Sequence, residues 1–526
     1  VRTRILLFIW IAFVIRGLFY VSYLPIWEGF DEWAHYANIQ IVAQGHPLPD
    51  RNSGVSREIQ ESLKLVPWVD GPVNHDRYWR LDESERKDRE ESLRSMPMAW
   101  QGEPVEDAAR AYESQQAPLY YWLIAPFYSL LQGVALPTRV WILRLLGMLL
   151  ASLIVPLSTV IAARISTEPA FRIGIAALIA ANPELMMMVS HIGNEPLAVL
   201  LATALIACFF YWSEGAQSYP RAWMFGIVFG LALLTKAYFL ALAVPILTWV
   251  VISAARKKAL VQAALIFVCA AAISGWWYLR NWQLTRTVSG EQVDAAAIGH
   301  GDIVTAIRSM SWIRVVDFAI ISHVWLGNWS FLVLRPWMYL SFTLIALLAL
   351  VGLGIWFLQD RPLRGRIAVL VSLYAAFVLA LAYFAVQTYR VRLSSGVFAH
   401  YLEAIVVVET ILIVVGLQSI VPRALTPVTI PFGVFLLLAL EFFGMNFKAI
   451  PYYTGFIAHF GDGRLATLRL EQLGHGGVPL LFLRLAANKP PFLTPRVLGV
   501  MWALFASASL GLLALVLYRR MRPPSK

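Results

Sequence analysis

Two adjacent carboxylates, Asp31 and Glu32, stand in the segment Trp27-Glu28-Gly29-Phe30-Asp31-Glu32-Trp33-Ala34-His35-Tyr36, directly after the first long apolar run of the chain. A carboxylate at a membrane edge can deprotonate or orient a hydroxyl beside a lipid-borne substrate, which is general-base chemistry. The same two residues suit the start of an amphipathic helix running to about Gln44, where acidic side chains cap and complement the positive helix end. A helix start also fixes a carboxylate in space, so capping and proton transfer are compatible. Further polar groups fall at the ends of other apolar runs. They are Tyr112-Glu113-Ser114-Gln115-Gln116 before Pro118-Leu119-Tyr120-Tyr121-Trp122-Leu123, the turn His191-Ile192-Gly193-Asn194-Glu195-Pro196-Leu197, Lys236 closing Gly230-Leu-Ala-Leu-Leu-Thr-Lys, Arg280 after Trp276-Trp277-Tyr278-Leu279, and Arg390 through His400-Tyr401. Taken singly, the aromatic segment reads as an interface anchor, the turn as an ordinary polar turn, and Lys236 as a snorkelling residue. Cations on the outer side of a membrane nevertheless need a reason, and an anionic group such as a phosphate supplies one.

The elements that must position these residues are apolar helices. Of 526 residues, 59% are hydrophobic and 14% charged, against roughly 25% charged in a soluble domain, which excludes a soluble globular enzyme. Spans are expected at 4–24, 140–163, 170–190, 195–212, 221–236, 237–255, 260–279, 337–358, 367–386, 401–420, 425–445 and 495–517, each long enough to cross a hydrocarbon core of roughly 30 Å or close to it. The fold class is therefore an all-α polytopic membrane protein. The first run lacks a small-residue cleavage site and reads as a retained span. A thirteenth run, 118–136, carries Pro118 and Pro126 and reads as a re-entrant or interfacial segment. With that segment not crossing, the cations of every short loop, including Arg164, Arg172, Arg221, Arg256, Arg361 and Arg423, share one side with Arg2, Arg4 and the basic tail, as the positive-inside rule requires. The formal charge of +11 is thus an orientation signal and not a nucleic-acid footprint. Both termini are expected in the cytoplasm of a plasma (bacterial inner) membrane, with the long segments 25–117, 280–336, 387–400 and 446–494 outside. The chain divides into a first span (1–24), an ordered outer cap (25–117), the re-entrant segment (118–136), a transmembrane core (137–445), an outer loop (446–494) and a last span with its tail (495–526). Run 82–94, with both signs of charge at helical spacing, reads as a solvated helix face. Cys208 and Cys269 both lie in apolar runs, so neither a disulfide framework nor cysteine metal spacing is present.

Considered together, in order and spacing, these segments resemble the GT-C glycosyltransferases that use polyprenyl-phosphate sugars, the group holding protein mannosyltransferase-like and lipid A aminoarabinose transferase-like enzymes. The resemblance covers roughly residues 1–420 and rests on Asp31-Glu32 after the first span, Pro-Leu-Tyr-Tyr-Trp-Leu closing the first outer loop, Asn194-Glu195-Pro196-Leu197, the run ending at Lys236, and Trp-Trp-Tyr-Leu-Arg-Asn ending at Asn281. It implies a GT-C-like bundle of about 12–13 helices that moves a sugar from a polyprenyl-phosphate donor to an outer glycan, lipid or protein hydroxyl with inversion. Asp31 would be the general base with Glu32 beside it. Relatives commonly carry Lys or His before a Pro-Pro-Leu segment, where this chain has Gln116-Ala117-Pro118-Leu119. The donor phosphate would accordingly fall to Lys236, Arg280, Arg390 and His400. His35, Gln116, Tyr120, Asn194, Glu195 and Tyr401 would position acceptor or donor. The chemistry requires no cofactor; a divalent cation is compatible with Asp31, Glu32, His35 and Glu195 as ligands. Two rival readings are a transporter or flippase for a lipid-linked sugar and a non-catalytic scaffold; the spans are mostly uncharged apart from Arg16, Arg144, Glu184, Glu403 and a few others, which offers no relay across the bilayer.

Overall fold

The computed structural model describes residues 3–46, 48, 54–105, 112–215, 218–290, 302–359 and 363–521. The middle of loop 280–336, Arg361 and the tail beyond Met521 lie outside the described residues. Helix α1 (Thr3–Tyr23) leads into a cap carrying α2 (Glu32–Ala43), α3 (Arg57–Leu65), α4 (His75–Tyr78) and α5 (Glu83–Arg94). The bundle follows with α6 (Leu119–Leu130), α7 (Leu136–Ser152), α8 (Ile154–Ile165), α9 (Pro169–Ala181), α10 (Pro183–Val189), α11 (Glu195–Glu214), α12 (Tyr219–Leu233), α13 (Phe239–Lys257) and α14 (Leu260–Thr285). It continues through α15 (Ile303–Ser309), α16 (Trp312–Val324), α17 (Pro336–Leu358), α18 (Arg364–Arg392), α19 (Val406–Ile420), α20 (Thr429–Gly444), α21 (Ile450–Tyr453), α22 (Gly477–Leu485) and α23 (Pro495–Met521). Among the described residues no strand forms, only two isolated bridges, Ser56–Pro104 and His459–Leu465.

Ten helical stretches are long and apolar enough to cross a membrane, and α9 with α10 makes an eleventh if that bent pair is one span. The bend of 60° has a local cause. Pro183 lacks an amide donor and disfavours helical backbone at the residue before it, so Asn182 is extended (φ −68°, ψ 116°) and its side chain accepts from Leu185 N to restart the helix. The expected span 221–236 is the shorter α12, 15 residues or roughly 22 Å at 1.5 Å per residue. Helix α6 has 12 residues with Pro126 inside, roughly 18 Å by the same rise.

Close packing in the bundle relies on small residues, as is usual for helices in lipid. A Cβ at Gly352 on α17 would stand 2.0 Å from the Gly416 carbonyl oxygen on α19, and one at Gly416 would stand 2.0 Å from that of Ala349. Since neither backbone can retreat without separating the helices, Gly416→Leu is expected to destabilise the protein by roughly 1–3 kcal/mol, the usual range for overpacking, read as a lowered melting temperature in detergent. One buried polar group inside the bundle is paired across helices: Arg16 on α1 lies 2.5 Å from Glu441 on α20, and Tyr20 donates to the same carboxylate at 3.0 Å.

The cap is docked through buried polar contacts as well as its own apolar core of Trp27, Trp33, Tyr36, Ile39, Ile59 and Leu93 against α6 and α7. Glu58 of α3 is paired with Arg139 of α7 and accepts from Gln40 Nε2 at 2.9 Å. Glu28 accepts from Ser330 N at 2.8 Å and from the Tyr453 hydroxyl at 3.1 Å, while Asp76 accepts from His459 N at 2.7 Å. Three segments distant in sequence thereby converge on the start of α2. On α5 only Leu93 is buried and the face is laced by i,i+4 ion pairs, Lys87–Glu83 among them.

Candidate active site

Asp31 sits at the N-cap position of α2 with φ 52° and ψ 19°, a left-handed conformation, and its side chain makes no capping hydrogen bond. Asp and Asn are the non-glycine residues that adopt this backbone most readily. The half-buried carboxylate is turned instead toward the segment just before α6, where Oδ1 accepts a hydrogen bond from the Tyr112 hydroxyl. Tyr112 packs edge-on against Trp33, with ring centroids 5.1 Å apart. Burial raises the Asp31 pKa above the usual carboxylate value, opposed by the Tyr112 hydrogen bond and by the charges of Lys236 and Arg392.

Glu32, one residue on, faces the other way. Both its oxygens take hydrogen bonds from Arg144, Nε to Oε1 and NH2 to Oε2 at 2.6 Å each, and Ile192 N donates to Oε1 at 3.0 Å. Burial alone would raise its pKa, yet the Arg144 charge and hydrogen bonds hold it below the usual value. Glu32 thereby ties α2 to α7 and to the turn after α10. In that turn burial pushes His191 down to about 4, against the pull of Glu32, and His191 Nδ1–H donates to the Met187 carbonyl at 3.2 Å.

Lys236 lies in the connection from α12 to α13, buried, with Nζ paired to Glu195 Oε1 and 5.0 Å from the centroid of the Tyr401 ring. Burial lowers its pKa to about 8, while the negative charges of Glu113 and Asp31 oppose the shift. Glu113 is raised to about 7, by burial first and then by the charge of Asp31. Gln116 bridges this group, donating to Glu113 Oε2 at 2.7 Å and accepting from Asn194 Nδ2 at 3.0 Å. A Cβ at Gly193 would meet Glu195 Oε2 at 2.6 Å and displace that carboxylate. Two carboxylates of raised pKa and one amine of lowered pKa thus share a partly open site, the kind of environment in which titratable groups are tuned for proton transfer.

Residues 13–408 match the family described as "Predicted membrane protein (DUF2142)". The chain belongs to this family. The matched stretch runs from α1 to the start of α19 and contains every residue of the cluster just described. None of the curated proteins matches the chain. Among solved structures, the crystal structure of ArnT from Cupriavidus metallidurans in the apo state is similar at 13% identity and a TM-score of 0.40, with 87% of this chain and 74% of that one covered.

Of the other residues singled out from the sequence of this family member, His400 and Tyr401 join the cluster: His400 stacks on Phe30 at 4.6 Å and meets Tyr401 edge-on at 4.5 Å. His35 Nδ1 lies 2.7 Å from the Tyr121 hydroxyl, its pKa pushed well below the usual value by burial and then by the charges of Lys236 and His191. Tyr120 is buried against Tyr121, centroids 5.7 Å apart. Arg280 lies 5.0 Å from the Trp277 ring centroid and Arg390 donates to Gln387 at 2.9 Å, while the cations acting on Asp31 are Lys236 and Arg392. Among the described residues no three His, Cys, Asp or Glu side chains are arranged to hold a metal ion. Tyr112, Glu113 and Arg392 were absent from the expected set although each stood in a segment that drew attention. Their signal was adjacency to a polar-to-apolar boundary, which does not say which side chain turns inward.

Proposed function

We propose that the protein is an integral membrane glycosyltransferase that moves a sugar from a polyprenyl-phosphate donor to an extracytoplasmic hydroxyl, on a lipid, glycan or protein, with inversion. The observation that carries this reading is the Asp31 carboxylate: held in a left-handed backbone conformation at a helix start, it caps nothing and is presented to a hydroxyl donor, Tyr112. An acceptor hydroxyl in the place of that phenol would give its proton to Asp31 as its oxygen attacks the anomeric carbon. The bond from that carbon to the phosphate oxygen breaks on the opposite face, and its electron pair stays on the phosphate. Lys236 and Arg392, the cations whose fields reach Asp31, would hold the developing charge. Glu32 then serves as a positioning residue, because Arg144 and Ile192 N occupy its oxygens. The prenyl chain would lie among the apolar helices.

The direct test is release of polyprenyl phosphate by purified protein from a panel of polyprenyl-phosphate sugars, with the anomeric configuration of the product read by NMR. Release with inversion is the expected result; absence of donor binding across the panel overturns the reading. The pKa values set a pH profile for kcat/KM. Activity requires Asp31 ionised, so it rises with pH through a range above that of an ordinary carboxylate. It requires Lys236 protonated, so it falls above about 8. Lys236→Arg keeps a cation at all these pH values, and the alkaline limb is expected to disappear in that variant; an unchanged limb would remove Lys236 from the phosphate.

A further inference from the structure

Deeper in the bundle, His323 of α16 lies between two carboxylates. Nε2 is 2.8 Å from Glu409 Oε1, and Nδ1 is 3.6 Å from Glu403 Oε1. The Tyr374 hydroxyl of α18 also donates to Glu409 Oε1, at 3.1 Å, and Asn182 at the bend between α9 and α10 donates to Glu403 Oε2 at 3.0 Å. Two residues beyond Asn182, Glu184 lies within electrostatic reach of His323 and of Tyr339 on α17. Glu184 and Glu403 are each 1% exposed. Glu403 Oε1, His323 Nδ1 and Glu184 Oε2 are buried without a hydrogen-bond partner.

Among the described residues around this cluster, His323 is the one basic side chain in contact with the carboxylates, and its charge also reaches His400. Three ionised carboxylates against a single imidazolium would leave two uncompensated charges in an apolar interior, which is strongly unfavourable. A carboxyl oxygen facing an imidazole nitrogen, both otherwise unsatisfied, is a place for a proton. We propose that His323, Glu403, Glu409 and Glu184 form a buried proton-binding site that at neutral pH holds one proton in the His323–Glu403 contact and a second on Glu184. The remaining charge then rests on Glu409, which His323 Nε2–H and Tyr374 O–H hold. His323 is 22% exposed at its side chain, which gives the site an edge for exchange.

The site is joined to the outer cluster by one element. Residues Ala399–Ile405 form a 3₁₀ helix of 7 residues, longer than the usual 3–4, and such stretches often mark a functional hinge. At three residues per turn it sets His400 and Glu403 on the same edge. Proton occupancy at Glu403 therefore has a mechanical path to His400, to the Phe30 ring beneath it and to Asp31 next in the chain. The proton site itself does not rest on the reading of Asp31 given above.

The test is infrared spectroscopy of the purified full-length protein at pH 7, with glutamate carboxyl carbons labelled. A label-shifted carbonyl band of neutral carboxylic acid is expected that persists when Glu113→Gln and Glu441→Gln are combined, because Glu113 itself titrates near the test pH, and that is reduced when Glu184→Gln or Glu403→Gln is added to that double variant. Gln matches the neutral acid in size and hydrogen bonding, so these variants keep the fold if the site is protonated. Absence of a neutral-acid band in the wild type overturns the proposal without any variant. So does a band that survives intact when Glu184→Gln and Glu403→Gln are added and the protein stays well folded. If neither of those two folds, survival of the band in the combined Glu113→Gln, Glu441→Gln variant supports its assignment to this cluster, and its loss there overturns the proposal.

Discussion

Asp31→Asn is expected to lower turnover by about 10²–10⁴-fold, the usual contribution of a general base, while the melting temperature stays where it was. The variant is chosen for its backbone. Asn adopts φ near 52°, the value found here, as easily as Asp does, whereas Ala at the same place would add strain of roughly 1–2 kcal/mol and confuse a chemical loss with a structural one. Asn also keeps an oxygen to accept from the Tyr112 hydroxyl, so the local hydrogen bond survives. What disappears is the ability to take a proton. If the amide variant releases polyprenyl phosphate at the wild-type rate, the base lies elsewhere and Asp31 is a structural residue in an unusual conformation.

Arg144→Met is expected to cost roughly 3–5 kcal/mol, the loss on breaking a buried ion pair from one side, and to yield protein that is largely unfolded or melts far below the wild type. Arg144 holds both oxygens of Glu32 and also donates to the carbonyls of Leu24 and Pro25 at 2.8 and 2.6 Å. Without it, the buried carboxylate loses its counter-charge and keeps only the Ile192 N donor, while the Leu24 carbonyl retains Lys489 Nζ and the Pro25 carbonyl retains Glu28 N at 3.4 Å. Glu32→Gln combined with Arg144→Met should recover part of the stability, because no unpaired charge is left. The pH dependence follows in sign. The folded-state pKa of Glu32 is depressed, so this pair contributes stability above the ordinary glutamate range, and that contribution is lost as pH falls through the folded value. Thermal unfolding of the wild type and the two variants across acidic pH measures both effects; an Arg144→Met protein as stable as the wild type would show that the cap is held by its apolar core alone.

Much of the fold is legible in the sequence because a hydrocarbon core imposes a length and a composition that hydropathy reports directly. All twelve expected spans are helical. What the runs do not show is geometry inside them: the break at Asn182-Pro183 lies within a stretch that reads as one span, although Pro183 itself was the clue. The site is legible in part for a different reason. Asp31, Lys236, Glu195 and Gln116 come from four segments whose ends all fall at one end of the bundle, so placing them together needs only topology. Which neighbours they take does not follow from topology. Tyr112 meets Asp31 across 81 residues, Glu32 turns to Arg144 across 112, and nothing local separates Arg390 from Arg392. The capping reading of Asp31 is sound by residue type, but the left-handed turn sends the side chain away from the amides it would cap. Inspection of the spans picks out Glu184 and Glu403 singly, but not their grouping with His323 and Glu409, because the four are single polar residues spread over four helical segments.

The Arg16–Glu441 pair sets a problem of timing for the growing chain. Its partners are 425 residues apart, and at roughly 5–20 residues per second of synthesis the wait for Glu441 is on the order of 20–85 s. During that interval α1 must reside in or beside the bilayer with a cation in its middle, a position worth about 2.5–3.5 kcal/mol of unfavourable free energy for an isolated helix. Helix α1 is therefore made long before it can take its final place. Insertion and assembly are separate events for α1, and its early life depends on lipid headgroups, water or the insertion machinery shielding a charge that the finished protein covers with α20.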